Sequence, residues 1–297
     1  MRYIESFVRY LECEKNLSAN TLQCYSRDIQ TLEQYFERRG IEDPTAISDD
    51  EAASYIAFLK QSGRAQTTVA RNLASIRALY RFLIQSGAAA HNPFAGLSAD
   101  RCEKRPPVIL TNREVDLLLE QPDLSDFKGC RDKAMLELLY ASGLKVSELC
   151  GLNLGDVNLE VGFVRLGGEN ERIVPIYPMA VQCVENYLRE ARPAMVQNEN
   201  ERALFLNVNG TRLTRQGFWK IIKKYKESAR IDKEITPQTL RHSFAAHLLE
   251  NGADLKAISE MLGHADVAST QIYARLIENK FKSIYTQFHP RAVGGSR

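Results

Sequence analysis

"TPQTLRHSFAAHLLENGADLKAISEMLGHADVASTQIYARL", residues 236–276, decides the reading of the whole chain. Thr236 before Pro237 starts a helix and Asn251-Gly252 stops it. Asp254 starts a second helix that halts at Gly263, and a third follows around Tyr273. These helices carry Arg241 and His242 near one start, His264 just past one end, and Tyr273 nine residues later. An arginine fork grips a phosphate through two parallel bonds, a histidine donates to its non-bridging oxygens, and a tyrosine oxygen can attack phosphorus. Each alone has an ordinary structural use: Arg241 in a helix salt bridge, His264 as a C-cap, Tyr273 in an amphipathic core. Together they point to phosphoryl transfer.

Upstream of this stretch the fold class is mainly α with a small antiparallel β-sheet, in two domains. A length of 297 residues leaves room for two cores. Residues 1–98 read as four helices. "IESFVRYLECE" is apolar at helical spacing, and "SANTLQCYSRDIQTLEQYFERRG" opens on Ser18 or Asn20 as a cap. "SDDEAASYIAFLKQSG" and "AQTTVARNLASIRALYRFLIQSG" begin with capping residues and end in Ser-Gly. Residues 99–107, with Lys104-Arg105-Pro106-Pro107, form a linker. Residues 108–297 start with two helices, "TNREVDLLLEQP" and "FKGCRDKAMLELLYASG", and continue through "KVSELCGLNLGDVNLEVG". "FVRLGG" and "RIVPIY" then form a hairpin. Further helices follow, the last being "ENKFKSIYTQFHPRA" before a Gly-Ser tail.

Composition removes several classes of function. No apolar run approaches the ~20 residues of a membrane span, and acidic residues interrupt the N-terminal apolar stretch as no secretion signal allows. The expected location is the cytoplasm. The six cysteines, at 13, 24, 102, 130, 150 and 183, form no C-x-x-C pair and read as reduced thiols. There is no phosphate-cradling Gly-Lys loop, no H-E-x-x-H and no tight acidic group suited to two metal ions, so neither a metal nor a cofactor is expected. The net charge of +2 conceals two basic stretches. Between Glu51 and Asp100 no acidic residue occurs, while Lys60, Arg64, Arg71, Arg77 and Arg81 do. Arg71, Arg77 and Arg81 fall largely off the apolar stripe of their helix and should face outward. From Arg202 to Arg230 there are eight basic residues, including Arg212, Arg215, Lys220, Lys223 and Lys224, against one acidic, Glu227. Such local excess suits a nucleic-acid phosphate backbone, where each contact releases counterions. Arg64, Arg71, Arg77, Arg212, Arg215, Lys220, Lys223 and Lys224 are therefore the candidate DNA contacts.

The order of "LLYASGLKVSELCGL" (138–152), "ERIVP" (171–175), "TPQTLRHSFAAHLLENG", "MLGH", "TQIYARL" and the closing "HPRA" resembles the tyrosine recombinases, or phage integrases, and within them the Xer branch. The likeness spans essentially the whole chain. It implies a clamp: a helical core-binding (SAM-like) domain on one face of a DNA duplex and a catalytic domain on the other. It implies a site-specific recombinase that cuts and rejoins DNA through a 3′-phosphotyrosyl link without ATP or metal. Tyr273 would be the nucleophile, Arg241 a phosphate clamp, His264 a donor to the phosphate oxygens, and Glu148 a support for residue 145. The expected partners are a double-stranded recombination site, a synaptic tetramer of this chain or of this chain with a second Xer-type recombinase, and an activating translocase. The last helix would dock into a neighbouring protomer.

Three positions depart from the family pattern. Lys145 stands where the family has arginine, which exchanges a planar fork for a point charge. Gln238 stands where it has histidine, so a possible acid or base becomes a neutral amide. The hairpin lacks the family's lysine, and no lysine occurs between Lys145 and Lys220. Two readings follow from these changes: a working recombinase with redistributed roles, Lys145 doubling as the acid, or a weakened or inactive relative that binds DNA or needs an intact partner.

Overall fold

In a computed structural model the chain forms two compact units, 1–104 and 105–297. The structure describes residues 4–13, 19–41, 43–45, 47–99, 106–168, 171–264 and 269–274. The cap at Ser18, most of the linker, the tip of the hairpin and the expected C-terminal docking helix with its tail lie outside the described residues.

The first unit holds α1 (Ile4–Cys13), α2 (Ala19–Arg38), α3 (Asp49–Gln61) and α4 (Gln66–Gln85). Helix α3 starts in a capping box, with Ser48 N donating to Glu51 Oε2 at 2.8 Å and Glu51 N to Ser48 Oγ at 3.3 Å. Asn20 lies inside α2 rather than capping it, and α4 begins at Ala65 with no side-chain cap. Burial of its apolar stripe, with Leu73, Ile76, Leu79, Tyr80 and Leu83 all at 3 % exposure or less, stabilises α4 in place of a cap. Against that stripe pack Phe7, Ile29, Leu32, Tyr55 and Phe94.

Two of the expected outward bases are tied to their own unit, Arg71 while staying exposed and Arg77 half-buried. The guanidinium of Arg71 pairs with buried Asp28, which also accepts from Ser75 Oγ at 2.8 Å. Arg77 donates to the carbonyls of Phe94 (3.1 Å), Ala95 (3.0 Å) and Leu97. These carbonyls follow α4 in irregular chain and have no helix partner, so an arginine fork satisfies them.

In the second unit α5 (Asn112–Leu119) and the central α6 (Phe127–Ser142) lead into the short α7 (Val146–Gly151). Then comes a three-stranded antiparallel sheet, β1 (Val157–Asn158), β2 (Phe163–Leu166) and β3 (Arg172–Pro175), in that order, with Val164 opposite Val174. The hairpin is as the sequence indicates. Strand β1 is an addition, too short at two residues to carry an alternation signal. Helix α8 (Pro178–Asn186) runs through a wider turn at residues 187–191 into α9 (Arg192–Met195). Helices α10 (Arg215–Ser228), α11 (Pro237–Glu250) and α12 (Leu255–Leu262) follow, and residues 271–274 are helical.

Helix α6 is buried nearly all round, from Ala134 to Leu139. Its charged groups are therefore paired internally: Arg131 with Asp132 at 2.7 Å, Lys133 with Glu137 at 2.8 Å, and Tyr225 Oη donating to Asp132 at 2.9 Å. Helix α11 is fixed to the start of the unit. Ser243 Oγ accepts from Leu110 N at 2.9 Å, and His247 Nε2 donates to Leu110 O at 2.8 Å.

Replacing Arg71 with Ala should leave Asp28 with Ser75 alone and lower the stability of the first unit by about 1–3 kcal/mol. Urea unfolding beside an Arg64→Ala control, in which no cost is expected, measures it.

Candidate active site

The residues singled out around phosphoryl transfer come together in the second unit, at the meeting of α7, β3, α11, α12 and the turn carrying Tyr273. Arg241 is the deepest of them at 1 % exposure. Its Nη1 donates to Gly143 O at 2.6 Å and its Nη2 to Leu262 O at 2.7 Å. Both carbonyls sit at helix ends, where the last turn leaves them unpaired. Gly143 and Gly263 end α6 and α12 in the left-handed conformation, with φ of 59° and 62°. A Cβ on Gly143 would lie 2.3 Å from the Phe244 ring, and one on Gly263 would lie 2.7 Å from the Arg172 guanidinium. Only glycine fits either stop. Burial pushes the Arg241 pKa down, and Glu148 and Tyr273 push it back up. The group stays cationic, with three N–H donors beyond the two in use.

Lys145 is exposed just before α7, and its backbone N–H donates to Glu148 Oε2 at 2.8 Å. The same oxygen receives Arg172 Nη2 at 2.9 Å. Arg172 Nε donates to Met261 O at 2.8 Å, so this side chain on β3 ties α7 to the end of α12. Glu148 thus supports residue 145 through its backbone and Arg172 rather than through the ammonium.

His264 follows Gly263 and shares a 2.8 Å hydrogen bond between its Nδ1 and buried Thr270 Oγ1. Its pKa is held down to about 4, first by burial and then by Arg241, Lys145, His242 and Arg172. The bonds of Arg241 to Gly143 and Leu262, of Arg172 to Met261 and Glu148, and of Lys145 N to Glu148 bring these residues to one place. Tyr273 is 2 % exposed among Phe244, Ala245, Ile258 and Leu262, and its Oη lies 2.8 Å from His242 Nδ1. Burial raises the phenol pKa and Arg241 opposes the rise, so the hydroxyl is protonated at neutral pH. His242 is held down to about 4 by burial and then Arg241. Gln238 lies exposed on the first turn of α11.

Two residues of this cluster escape a sequence reading. The sequence shows Arg172 only within "ERIVP" and His242 only as a neighbour of Arg241. Adjacent helical residues point about 100° apart, so Arg241 reaches inward while His242 meets the tyrosine. Among the described residues no group of three or more His, Cys, Asp or Glu is placed to hold a metal ion.

Of the candidate DNA contacts, Arg64 and Arg71 on the first unit and Arg215, Lys220, Lys223 and Lys224 on α10 are exposed, Arg71 while paired with Asp28. Arg212 instead donates to the carbonyls of Cys150 (2.9 Å) and Leu152 (2.8 Å) and to Asn153 Oδ1 (2.6 Å). Like Arg77, which is held by the carbonyls after α4, it ties parts of its own unit together.

Residues 109–280 match the phage integrase family and residues 4–87 its N-terminal SAM-like domain. The chain belongs to the phage integrase family. Relatives agree over the full length. It is 44 % identical to "Tyrosine recombinase XerD" of Halalkalibacterium halodurans, covering 97 % of this chain and 98 % of that one. It is 45 % identical to the protein of the same name from Oceanobacillus iheyensis, with the same shares covered. The crystal structure of XerH site-specific recombinase bound to palindromic difH substrate, a post-cleavage complex, superposes with a TM-score of 0.73 at 19 % identity. That match covers 95 % of this chain and 84 % of that one, and it bears on the fold alone. The resemblance to Xer-type tyrosine recombinases and the mainly helical fold with a small antiparallel sheet are thus borne out.

His242 and His264 are neutral in the fold below the ordinary imidazole value of 6.5 and charged there when the chain unfolds. The unfolded state binds more protons in that window, so their contribution to stability is full above it and is lost as pH falls towards about 4. Urea midpoints compared at neutral and at about pH 5 should fall for the natural chain and fall less for a His242→Asn/His264→Asn variant.

Proposed function

We propose that this chain is a Xer-type site-specific recombinase that cuts and rejoins duplex DNA through a 3′-phosphotyrosyl intermediate. The observation that carries the reading is the convergence of Tyr273, Arg241, His264, Lys145 and Arg172 on one centre, with the nucleophile hydrogen-bonded to an imidazole. Tyr273 attacks the scissile phosphate. Arg241, Lys145 and the His264 ring stabilise the charge that builds on the phosphate oxygens. Lys145 is the exposed ammonium of the group and donates the proton that the leaving 5′-oxygen needs, a task an arginine performs poorly. The energy of the phosphodiester is kept in the tyrosyl link, so the free 5′-hydroxyl of a second strand can reverse the step.

Full-length similarity to proteins named tyrosine recombinase favours this reading over that of an inactive DNA-binding relative. The remaining parts of the proposal follow the family. Residues 1–98 form the core-binding domain, 99–107 the linker and 108–297 the catalytic domain, and the substrate is a recombination site. The working unit is a synaptic tetramer of this chain or of this chain with a second Xer-type recombinase. An activating translocase and a place in the cytoplasm, beside the DNA, complete it. Exposed Arg64, Arg215, Lys220, Lys223 and Lys224 supply phosphate contacts.

Incubated with a nicked duplex carrying a Xer-type site, the natural chain should form a covalent protein–DNA adduct and the Tyr273→Phe variant none. Binding without any adduct would sink the reading. Restoring the fork with Lys145→Arg should strengthen the clamp and remove the acid at once. On a duplex whose scissile 5′-oxygen is replaced by sulfur, which needs no acid, only the clamp gain of up to about 10²-fold should remain. DNA affinity should fall with salt on a log-log line whose slope drops by about 0.9 per phosphate contact removed in Lys220→Ala and Lys223→Ala. An unchanged slope would show these side chains to be merely solvated.

A further inference from the structure

The proton of Tyr273 has to go somewhere when its oxygen bonds to phosphorus. The position where the family has histidine holds Gln238, an exposed amide that cannot take a proton near neutral pH. Water is a poor substitute, because Tyr273 is 2 % exposed and closed in by Phe244, Ala245, Ile258 and Leu262. Arg241, Arg172 and Lys145 are cations without acceptor capacity. Glu148 is occupied by Arg172 and the backbone of Lys145. His264 has its Nδ1 on Thr270 Oγ1. Among the described residues, one acceptor lies against the phenolic oxygen, at 2.8 Å: His242 Nδ1.

We propose that His242 is the general base of strand cleavage in this chain, taking the phenolic proton of Tyr273 on Nδ1 as Tyr273 Oη bonds to the scissile phosphorus, a role that rests on Tyr273 as the nucleophile. The P–Oη bond forms while the P–O5′ bond breaks. The phenolic proton passes to His242 and makes an imidazolium, and the leaving 5′-oxygen takes a proton from the Lys145 ammonium. On rejoining, the incoming 5′-hydroxyl returns its proton to the Lys145 amine, and the imidazolium returns the other to Tyr273.

The tautomer fits. A protonated phenol donates its O–H to Nδ1, so the ring carries its own proton on Nε2 and enters the reaction as the free base. Burial, then Arg241, keeps it so. The charged and titratable groups facing it are Arg241, His264 and Tyr273, and a bound phosphodiester adds negative charge against Arg241. That charge raises the basicity of the ring at the moment the proton moves. Because His242 is half-buried rather than part of the packed interior, its replacement should leave the fold intact.

The test uses the full chain and nicked duplexes with either oxygen or sulfur at the bridging 5′ position of the scissile phosphate. His242→Ala and His242→Asn should both form the Tyr273 adduct ~10²-fold more slowly or worse, with DNA affinity unchanged. The loss should be the same on both substrates, because a better leaving group does nothing for phenol deprotonation. Added imidazole should recover cleavage by His242→Ala in proportion to its unprotonated fraction. Cleavage at the natural rate by His242→Asn, which accepts a hydrogen bond but no proton, would reduce His242 to a positioning residue. Full recovery of His242→Ala by the sulfur substrate would assign it to the leaving group instead. In both cases the natural chain still cleaves, so the strand-transfer reading survives. A natural chain that forms no Tyr273-dependent adduct overturns that reading and this one together.

Discussion

The buried guanidinium of Arg241 is the interaction on which the rest of the site depends. It bridges Gly143 O at the end of α6 and Leu262 O at the end of α12, carbonyls that helix geometry leaves without partners. Those bonds fix the spot from which Lys145, two residues past Gly143, and His264, two residues past Leu262, project. A charge taken so far out of water is tolerated because each end of its fork meets oxygen and because the Glu148 carboxylate lies within electrostatic reach. Removing it would strand two helix ends.

Arg172 repeats the device one step outward. From β3 it holds Glu148 beside α7 and Met261 O on α12, so the hairpin, the Lys145 turn and the His264 turn share one arginine. The left-handed stops at Gly143 and Gly263 allow this proximity, since any side chain at either would collide with Phe244 or Arg172. Two arginines and two glycines thus preorganise a cationic centre before any DNA arrives, which is the condition for such a centre to stabilise developing charge. The changes at residue 145 and in the hairpin leave these contacts in place.

Much of this was legible in the sequence. The four helices of the first unit, the capped α3, α5, α11 and α12 and the β2–β3 hairpin follow from period, caps and Gly stops, while Tyr273, Arg241 and His264 stood out through the family resemblance. Strand β1 was not legible, because a two-residue strand has no alternation. The helix stripe placed Arg71 and Arg77 off the apolar face, but it could not say whether an off-stripe arginine meets water or a buried carboxylate on another helix. Arg212 shows the same limit: a run of basic residues looks uniform until one member is found among the carbonyls of Cys150 and Leu152.

By itself the sequence determined which groups are available for phosphoryl transfer, in what order they occur, and that Lys145, Gln238 and a lysine-free hairpin set this chain apart from the pattern it resembles. These are local properties, written in side-chain identity and in spacings of a few residues. The tertiary structure alone decided which of the groups act together. Arg241 finds its acceptor 98 residues away at Gly143, and His242 finds Tyr273 31 residues away. Such pairings arise from packing helices whose contacts no local periodicity encodes, and they turn a neighbour of Arg241 into the partner of Tyr273 and tie Arg77 and Arg212 to carbonyls of their own units.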